Sequence, residues 1–306
     1  MSVQFSDGVT ERPGQIQVWI NAIRPKTLPA GILPVVIGSA LAYTDKKFAF
    51  LPALVALLCA TLIQITTNFI NEIYDHRKGA DTPDRLGPVR AVATGLIPEK
   101  TMIRVSISVV AVTFLVGLYL VVRGGLPVLL IGIVSLVLAW AYTGGPFPLA
   151  YKGLGDIFVF IFFGVVAVTC TYYVQALELS TASFVASISP GALATNILGI
   201  NNIRDIPTDT KVNKRTLAVR IGAENARRLY VLLTASAFIA PAFLYFQGYG
   251  LWVLLPFLSL PLAISIVSKL YRMSGKELNE LLGATGKLMT IHGFLLSAGL
   301  ILSALT

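Results

Sequence analysis

The sequence predicts an all-α protein: an integral membrane bundle of nine transmembrane helices around a central cavity, with the N-terminus on the cytoplasmic side. Three observations predict it. The 306 residues are 55% hydrophobic and 13% charged with a mean hydropathy of +0.77, which is more apolar surface than one soluble core can bury. Nine apolar runs approach the roughly 20 residues that a helix needs to cross a bilayer. Lysine and arginine alternate between the loops in step with those crossings.

The runs lie near 27–44, 48–70, 103–122, 126–143, 155–177, 183–200, 229–247, 251–270 and 286–305. Residues 1–15 are polar and lack an apolar core, so no signal peptide is expected ahead of them. The runs are joined by short turns on one side and by two long loops on the other, at about 76–102 and 204–228. Both loops mix acids, bases, glycine and apolar residues, which is not linker composition, and short amphipathic caps over the membrane face are expected in each. Residues 1–306 are read as a single transmembrane domain.

Orientation follows from the retention of positive loops in the cytoplasm. Arg12, Arg24 and Lys26, six basic residues between Arg77 and Arg104, Lys152, seven between Arg204 and Arg228, and four between Lys269 and Lys287 all fall on one side. Only Lys46, Lys47 and Arg123 are left for the other. The formal charge of +9 is thus a topology signal, and no nucleic acid partner is needed to explain it. The expected placement is a multi-pass protein of the cell inner membrane. Cys59 and Cys170 sit inside apolar runs without CxxC spacing, so neither a disulfide framework nor a cysteine metal site is implied.

Asn-x-Ile-x-Asp occurs twice, at Asn71–Asp75 and Asn201–Asp205, each time closing an apolar run and opening a charged loop with a further aspartate, Asp81 or Asp209. Thr67-Asn68 and Thr195-Asn196 precede them, so the chain reads as two related halves with a site at their interface. Asn71 and Asp75 project from one helix face, with Asn68 a turn earlier, and Gly79 is a plausible helix end that lets Asp81 swing back. In the second cluster Asn202 or Asn201, Asp205 and Asp209 repeat the logic, but Pro207 kinks or ends the helix, so their convergence must come from the turn.

Oxygen ligands of this kind suit Mg²⁺, which prefers one or two carboxylates with substrate phosphates to a full protein cage. Carboxylates at a helix C-terminus oppose the helix dipole, and a bound cation supplies the missing compensation. Arg77, Lys78 and Arg90 follow the first cluster, and Arg204, Lys211, Lys214 and Arg215 surround the second. Many are retention charges; Lys78, Arg215 and Lys26 are the chosen phosphate contacts.

RPKTLPAGILPVVIGSA at 24–40, NEIYDHRKGAD, GPVRAVATGLI at 87–97, AYTGGPFPLAYKGLGDIFVFIFFG at 141–164 and NNIRDIPTDTKVNKRTLAVRIG at 201–222 resemble the UbiA superfamily of intramembrane aromatic prenyltransferases. Within it they are most similar to the 1,4-dihydroxy-2-naphthoate prenyltransferases of menaquinone and phylloquinone synthesis. The resemblance implies a nine-helix bundle, an Mg²⁺-bound polyprenyl or phytyl diphosphate, and transfer of the prenyl group to an aromatic ring carbon with loss of CO₂. It implies metal ligation by Asn71, Glu72, Asp75 and Asp81, and by Asp205 and Asp209 with Asn202 beside them. Glu72 stands where the family usually has Asp, and Pro207 where an acidic residue is usual.

Asp75 and Asp205 are accordingly the principal catalytic candidates, and Tyr142 with Tyr74 would shelter an allylic cation against their ring faces. Arg24, Lys26 and Lys152 are candidate anchors for the carboxylate of the acceptor. Asp156 either polarises a hydroxyl or simply complements a positive helix end. His292 reads as a packing residue, and Gly144-Gly145-Pro146 as a turn. Rival readings are another acceptor, such as 4-hydroxybenzoate, homogentisate or haem, and, from a different class, a cation-coupled transporter, whose charges would lie near the bilayer midplane.

Overall fold

A computed structural model describes residues 14–81, 86 and 90–306, and no strand occurs among them. The helices are α1 (Gln15–Ile23), α2 (Leu28–Thr44), α3 (Phe50–Arg77), α4 (Glu99–Gly124), α5 (Leu126–Ala141), α6 (Gly155–Phe160) and α7 (Ala167–Ala176). They continue with α8 (Thr181–Arg204), α9 (Ile206–Lys211), α10 (Leu217–Phe246), α11 (Leu260–Leu270) and α12 (Leu278–Leu305). A π-helical turn, Ile161–Val166, joins α6 to α7, and a 3₁₀ stretch, Leu251–Ser259, leads into α11.

Every predicted apolar run lies on a helix. Eight helical segments of the described chain are long and apolar enough to cross a membrane. The ninth apolar element, α5, has 16 residues and spans only about 24 Å at the usual rise, so it falls short of a full crossing. The cap expected in the second loop is present as the short helix α9. In the first loop the described residues 91–97 form turns, while residues 82–85 and 87–89, like Arg12, lie outside the described part.

Local chemistry decides how the two acidic helices end. Gly79 has a φ of 67°, and the N–H groups of Lys78, Gly79 and Ala80 turn back onto Tyr74, His76 and Asp75 carbonyls, which stops α3 just before Asp81. Pro207 lies in the first turn of α9, where a missing N–H leaves nothing unsatisfied, so it starts the next helix after α8 has ended at Asp205. The Asp209 N–H then donates to the Asp205 carbonyl at 2.7 Å and folds the second acid back beside the first.

The helices α8 and α12 form the spine, α8 packing on α10, α12 and the π turn, and α12 packing on α2. A large apolar core sits among α8, α10, α11 and α12, and a second joins α2, α7 and α12. Gly164 makes a close approach: a Cβ there would stand 2.7 Å from the Gly191 Cα and 2.8 Å from the Ser187 carbonyl oxygen, so the π turn presses directly on the α8 backbone. His292 is buried against Phe238, with Ser259 at 3.4 Å, as expected for a packing residue.

The bundle has two distinct polar ends. At one, Asp45 accepts from the Tyr172 and Tyr249 hydroxyls at 2.7 and 3.1 Å, and Arg123 donates to the last carbonyls of α7. The other holds the ends of α3 and α8 together.

Candidate active site

The first cluster is built on a buried guanidinium. Asp75 is 3% exposed and Arg90 6%; Arg90 Nη2 donates to Asp75 Oδ2 at 2.7 Å, and its Nε lies 3.4 Å from Asp81 Oδ1. The turn at Gly79 thus returns Asp81 to the cation that Asp75 uses. The second oxygen of Asp75 accepts from the Tyr151 hydroxyl at 2.8 Å. Arg90 Nη1 is buried and has no hydrogen-bond partner among the described residues.

Tyr151 is the bridge between the two clusters. Lys78 Nζ stands 4.2 Å above its ring, and Lys214 Nζ lies 5.5 Å from it. Lys214 pairs with Asp209 Oδ1 at 3.3 Å, and the Arg215 N–H donates to the Tyr151 carbonyl at 3.2 Å. Burial first, and Asp75 beside it second, raise the Tyr151 phenol well above its ordinary range, so it stays a donor. Asp209 is pushed up to about 6, chiefly by burial, with Lys214 opposing and Asp205 and Asp75 adding to the rise. Lys78 is lowered by burial against the opposing pull of Asp75, with Lys214 adding to the lowering.

An apolar cavity of about 210 Å³ opens beside this cluster, between α2, α3, α4, α5 and the α6–α7 segment. Thr67, Tyr142 and Leu149 lie on its wall, with Phe158, Phe162 and Phe163 among the other lining residues. Asn71, one turn after Thr67, accepts from Thr143 Oγ1 at 2.8 Å, and Lys78 donates to the Thr143 carbonyl at 2.5 Å. A Cβ on Gly155 would meet the Tyr142 hydroxyl oxygen at 3.2 Å, so that hydroxyl rests on the first turn of α6. Polar cluster and cavity therefore share one junction, at Tyr142–Thr143.

Residues 31–291 match the UbiA prenyltransferase family. The chain belongs to that family. It is a prenyltransferase and a multi-pass membrane protein. Among its relatives, the 1,4-dihydroxy-2-naphthoate octaprenyltransferase of Escherichia coli (strain K12) is 37% identical over 295 residues, covering 94% of this chain and 96% of that one. The enzyme of the same description from Bacillus subtilis (strain 168) is 33% identical, covering 96% and 94%. The fold is shared with the apo structure of a UbiA homolog from Aeropyrum pernix K1, at a TM-score of 0.68, 17% identity and coverage of 89% and 97%. A UbiA homolog from Archaeoglobus fulgidus bound to DMAPP and Mg²⁺ gives 0.62, 17% identity, 91% and 99%.

In this UbiA-family chain Asp75, Asp81, Asp205, Asp209 and Lys78 gather at one end of the bundle. Other predicted residues have different partners. Glu72 accepts from the Val92 N–H at 3.2 Å and pins the first loop; Asn202 donates to Asp156 at 3.4 Å. Asn68 donates to the Ile23 carbonyl at 2.8 Å and to Thr27 Oγ1 at 3.1 Å, holding the α1–α2 turn that carries Arg24 and Lys26. Asn196 makes the equivalent pair with the Tyr230 carbonyl and Thr234 Oγ1. Lys26, Lys152 and Arg215 are exposed, with Lys152 lying against the Phe147 ring.

Sequence reasoning left out Tyr151, and did not choose Arg90 or Lys214 from among the basic residues. Tyr151 carries no charge and follows a Pro-rich turn, so only its contacts reveal it. Replacing it by phenylalanine is expected to lower turnover about tenfold, the size of one lost hydrogen bond to a charged group. Steady-state rates with the melting temperature as control check this; an unchanged kcat would release Tyr151 from the site.

Among the described residues no three acidic, histidine or cysteine side chains are grouped so that they could hold a metal ion by themselves. That fits Mg²⁺, which takes few carboxylates and completes its shell with phosphate and water. The donors that remain also fit. Asp209 Oδ2 is buried without a hydrogen-bond partner among the described residues, as a cation requires, and Arg90 Nη1 is likewise available to an anionic oxygen.

Proposed function

We propose that the protein transfers a prenyl group from a polyprenyl diphosphate to 1,4-dihydroxy-2-naphthoate with decarboxylation, as a step in menaquinone synthesis. One observation carries the reading: a buried cluster of acids and bases abuts an apolar cavity at Tyr142. The similarity to naphthoate octaprenyltransferases over nearly the whole chain supports the acceptor. The distribution of lysine and arginine supports an N-terminus and a site that face the cytoplasm, and we read residues 1–306 as a single domain in the cell inner membrane.

Mg²⁺, when bound, neutralises charge on the departing diphosphate. Asp75, Asp81, Asp205 and Asp209 are the residues to hold it, with Asn71 and Asn202 as neutral oxygen donors nearby and Glu72 behind the first loop. Arg90 Nη1, Lys78 and Lys214 donate to diphosphate oxygens as the C–O bond breaks, and fixed donors of this kind need no reorganisation during the reaction. Tyr151 holds Asp75 in place. The cavity takes the prenyl chain and excludes water from the allylic cation, whose charge the Tyr142 ring stabilises at the junction. The acceptor ring carbon forms the new C–C bond, and its carboxylate leaves as CO₂. Arg24, Lys26 and Lys152 are the candidate anchors for the acceptor carboxylate, Arg215 is a candidate contact of the diphosphate, and Asp156 is the acid beside Tyr142.

Purified protein supplied with Mg²⁺, dihydroxynaphthoate and a prenyl diphosphate is expected to release pyrophosphate and CO₂ in equal amounts. Mass spectrometry of the product, with donors of varied length including phytyl diphosphate, identifies the chain transferred. Release of neither product by a folded sample would remove the naphthoate assignment.

A further inference from the structure

The second acidic cluster contains a guanidinium to which the scheme above gives no role. Arg204, the last residue of α8, is 2% exposed and among the largest fully buried side chains. Its Nε and Nη2 fork onto the two oxygens of Asp205 at 2.7 and 2.6 Å. Its Nη1 donates to Asn279 Oδ1 at 2.6 Å, from a residue 75 positions later in the first turns of α12. The Asn279 amide in turn donates to the Leu86 carbonyl at 2.9 Å.

A two-point fork fixes the plane of a carboxylate only if the guanidinium is itself held. Two neighbouring residues at the end of a helix do not hold each other's side chains. Asn279 supplies the third point, from a different helix, and its own amide is fixed by a backbone oxygen. Asp205 meanwhile keeps 18% of its side chain exposed while Arg204 is enclosed. The fork uses one lone pair on each oxygen and leaves the others for a further partner.

We propose that Arg204 and Asn279 are positioning residues, a strut from α12 that fixes the Asp205 carboxylate for a divalent cation bound together with the substrate diphosphate. The inference rests on the prenyl diphosphate reading above. An arginine suits this least exposed position of the cluster because a lysine offers a point charge but no fork.

Mn²⁺ serves as the probe, titrated by electron paramagnetic resonance into the purified full chain with a non-reactive prenyl thiolodiphosphate. Loss of an outer partner of a metal ligand typically costs about 10- to 100-fold in affinity. Asn279→Ala and Arg204→Lys are each expected to weaken Mn²⁺ binding by at least about tenfold on that scale, whereas Asn279→Asp, which gives up the bond to Leu86 but keeps a charge-assisted acceptor for Nη1, stays within about threefold. A purely structural clamp would lower the melting temperature and leave the Mn²⁺ affinity unchanged, and that result would overturn the inference. If Asn279→Ala fails to fold, Asn279→Asp against Arg204→Lys decides: equal affinities overturn it, and a tenfold gap supports it. Absence of Mn²⁺ binding by the wild-type protein with the diphosphate would instead bring down the reading on which the strut depends.

Discussion

Asp75→Asn and Asp205→Asn are each expected to lower turnover by about 10²- to 10³-fold, the loss typical when one preorganised charge-stabilising group is removed. The substitution keeps the shape of the side chain and an oxygen for Tyr151 or Arg204, so the bundle should still fold. What disappears is a negative charge. In the first cluster Arg90 then faces Asp81 alone, and in the second Arg204 faces an amide. Initial rates at saturating Mg²⁺, with thermal unfolding as control, separate the lost chemistry from lost structure. Near-normal rates in both variants would place the metal elsewhere.

Arg90→Ala is expected to be the most destabilising single change at the site. It removes the cation shared by Asp75 and Asp81, whose side chains are 5% and 3% exposed. Breaking a buried pair by removing one partner costs about 3–5 kcal/mol, because the remaining charges are left uncompensated. Thermal unfolding in detergent should show a large drop, and activity should be lost with it. Mg²⁺ with a prenyl diphosphate at about 100 times its Kd contributes about 2.7 kcal/mol to the wild type and should add less to the variant, which has lost the Nη1 donor to the diphosphate. An unfolding temperature equal to that of the wild type would show that the two carboxylates do not depend on Arg90.

Much of the fold was legible because lipid leaves few choices. Backbone groups without water must bond within their own segment, so each apolar run had to become a helix, and each did. Helix ends were legible where one residue type decides them, as at Gly79. Length is a coarser signal: the run at 126–143 reads like the others, yet its helix closes after 16 residues, ahead of the Gly144-Gly145-Pro146 turn, where the Gly144 N–H bonds back to Trp140 and Gly145 has a φ of 70°. The acidic clusters were legible as a repeated pattern, and so was the shared Thr-Asn upstream of them. That Asn68 and Asn196 both spend their amides on a carbonyl and a threonine hydroxyl four residues further on was not, since their partners lie in other parts of the chain.

The basic residues mark the limit most clearly. Retention in the cytoplasm and binding of an anion ask for the same side chains, so charge alone cannot separate Arg90 and Lys214, which enter the site, from Lys26, Lys152 and Arg215, which are exposed. The chain by itself determined the membrane class, the placing of the apolar helices, the family and the two acidic motifs, because each depends on composition or spacing within a short segment. Only the tertiary structure decided that Tyr151 joins the clusters, that the cavity opens at Tyr142 and that Asn279 reaches Arg204. Those contacts join residues that are distant in sequence, and they exist only once the packed helices bring the ends of α3 and α8 to the same end of the bundle.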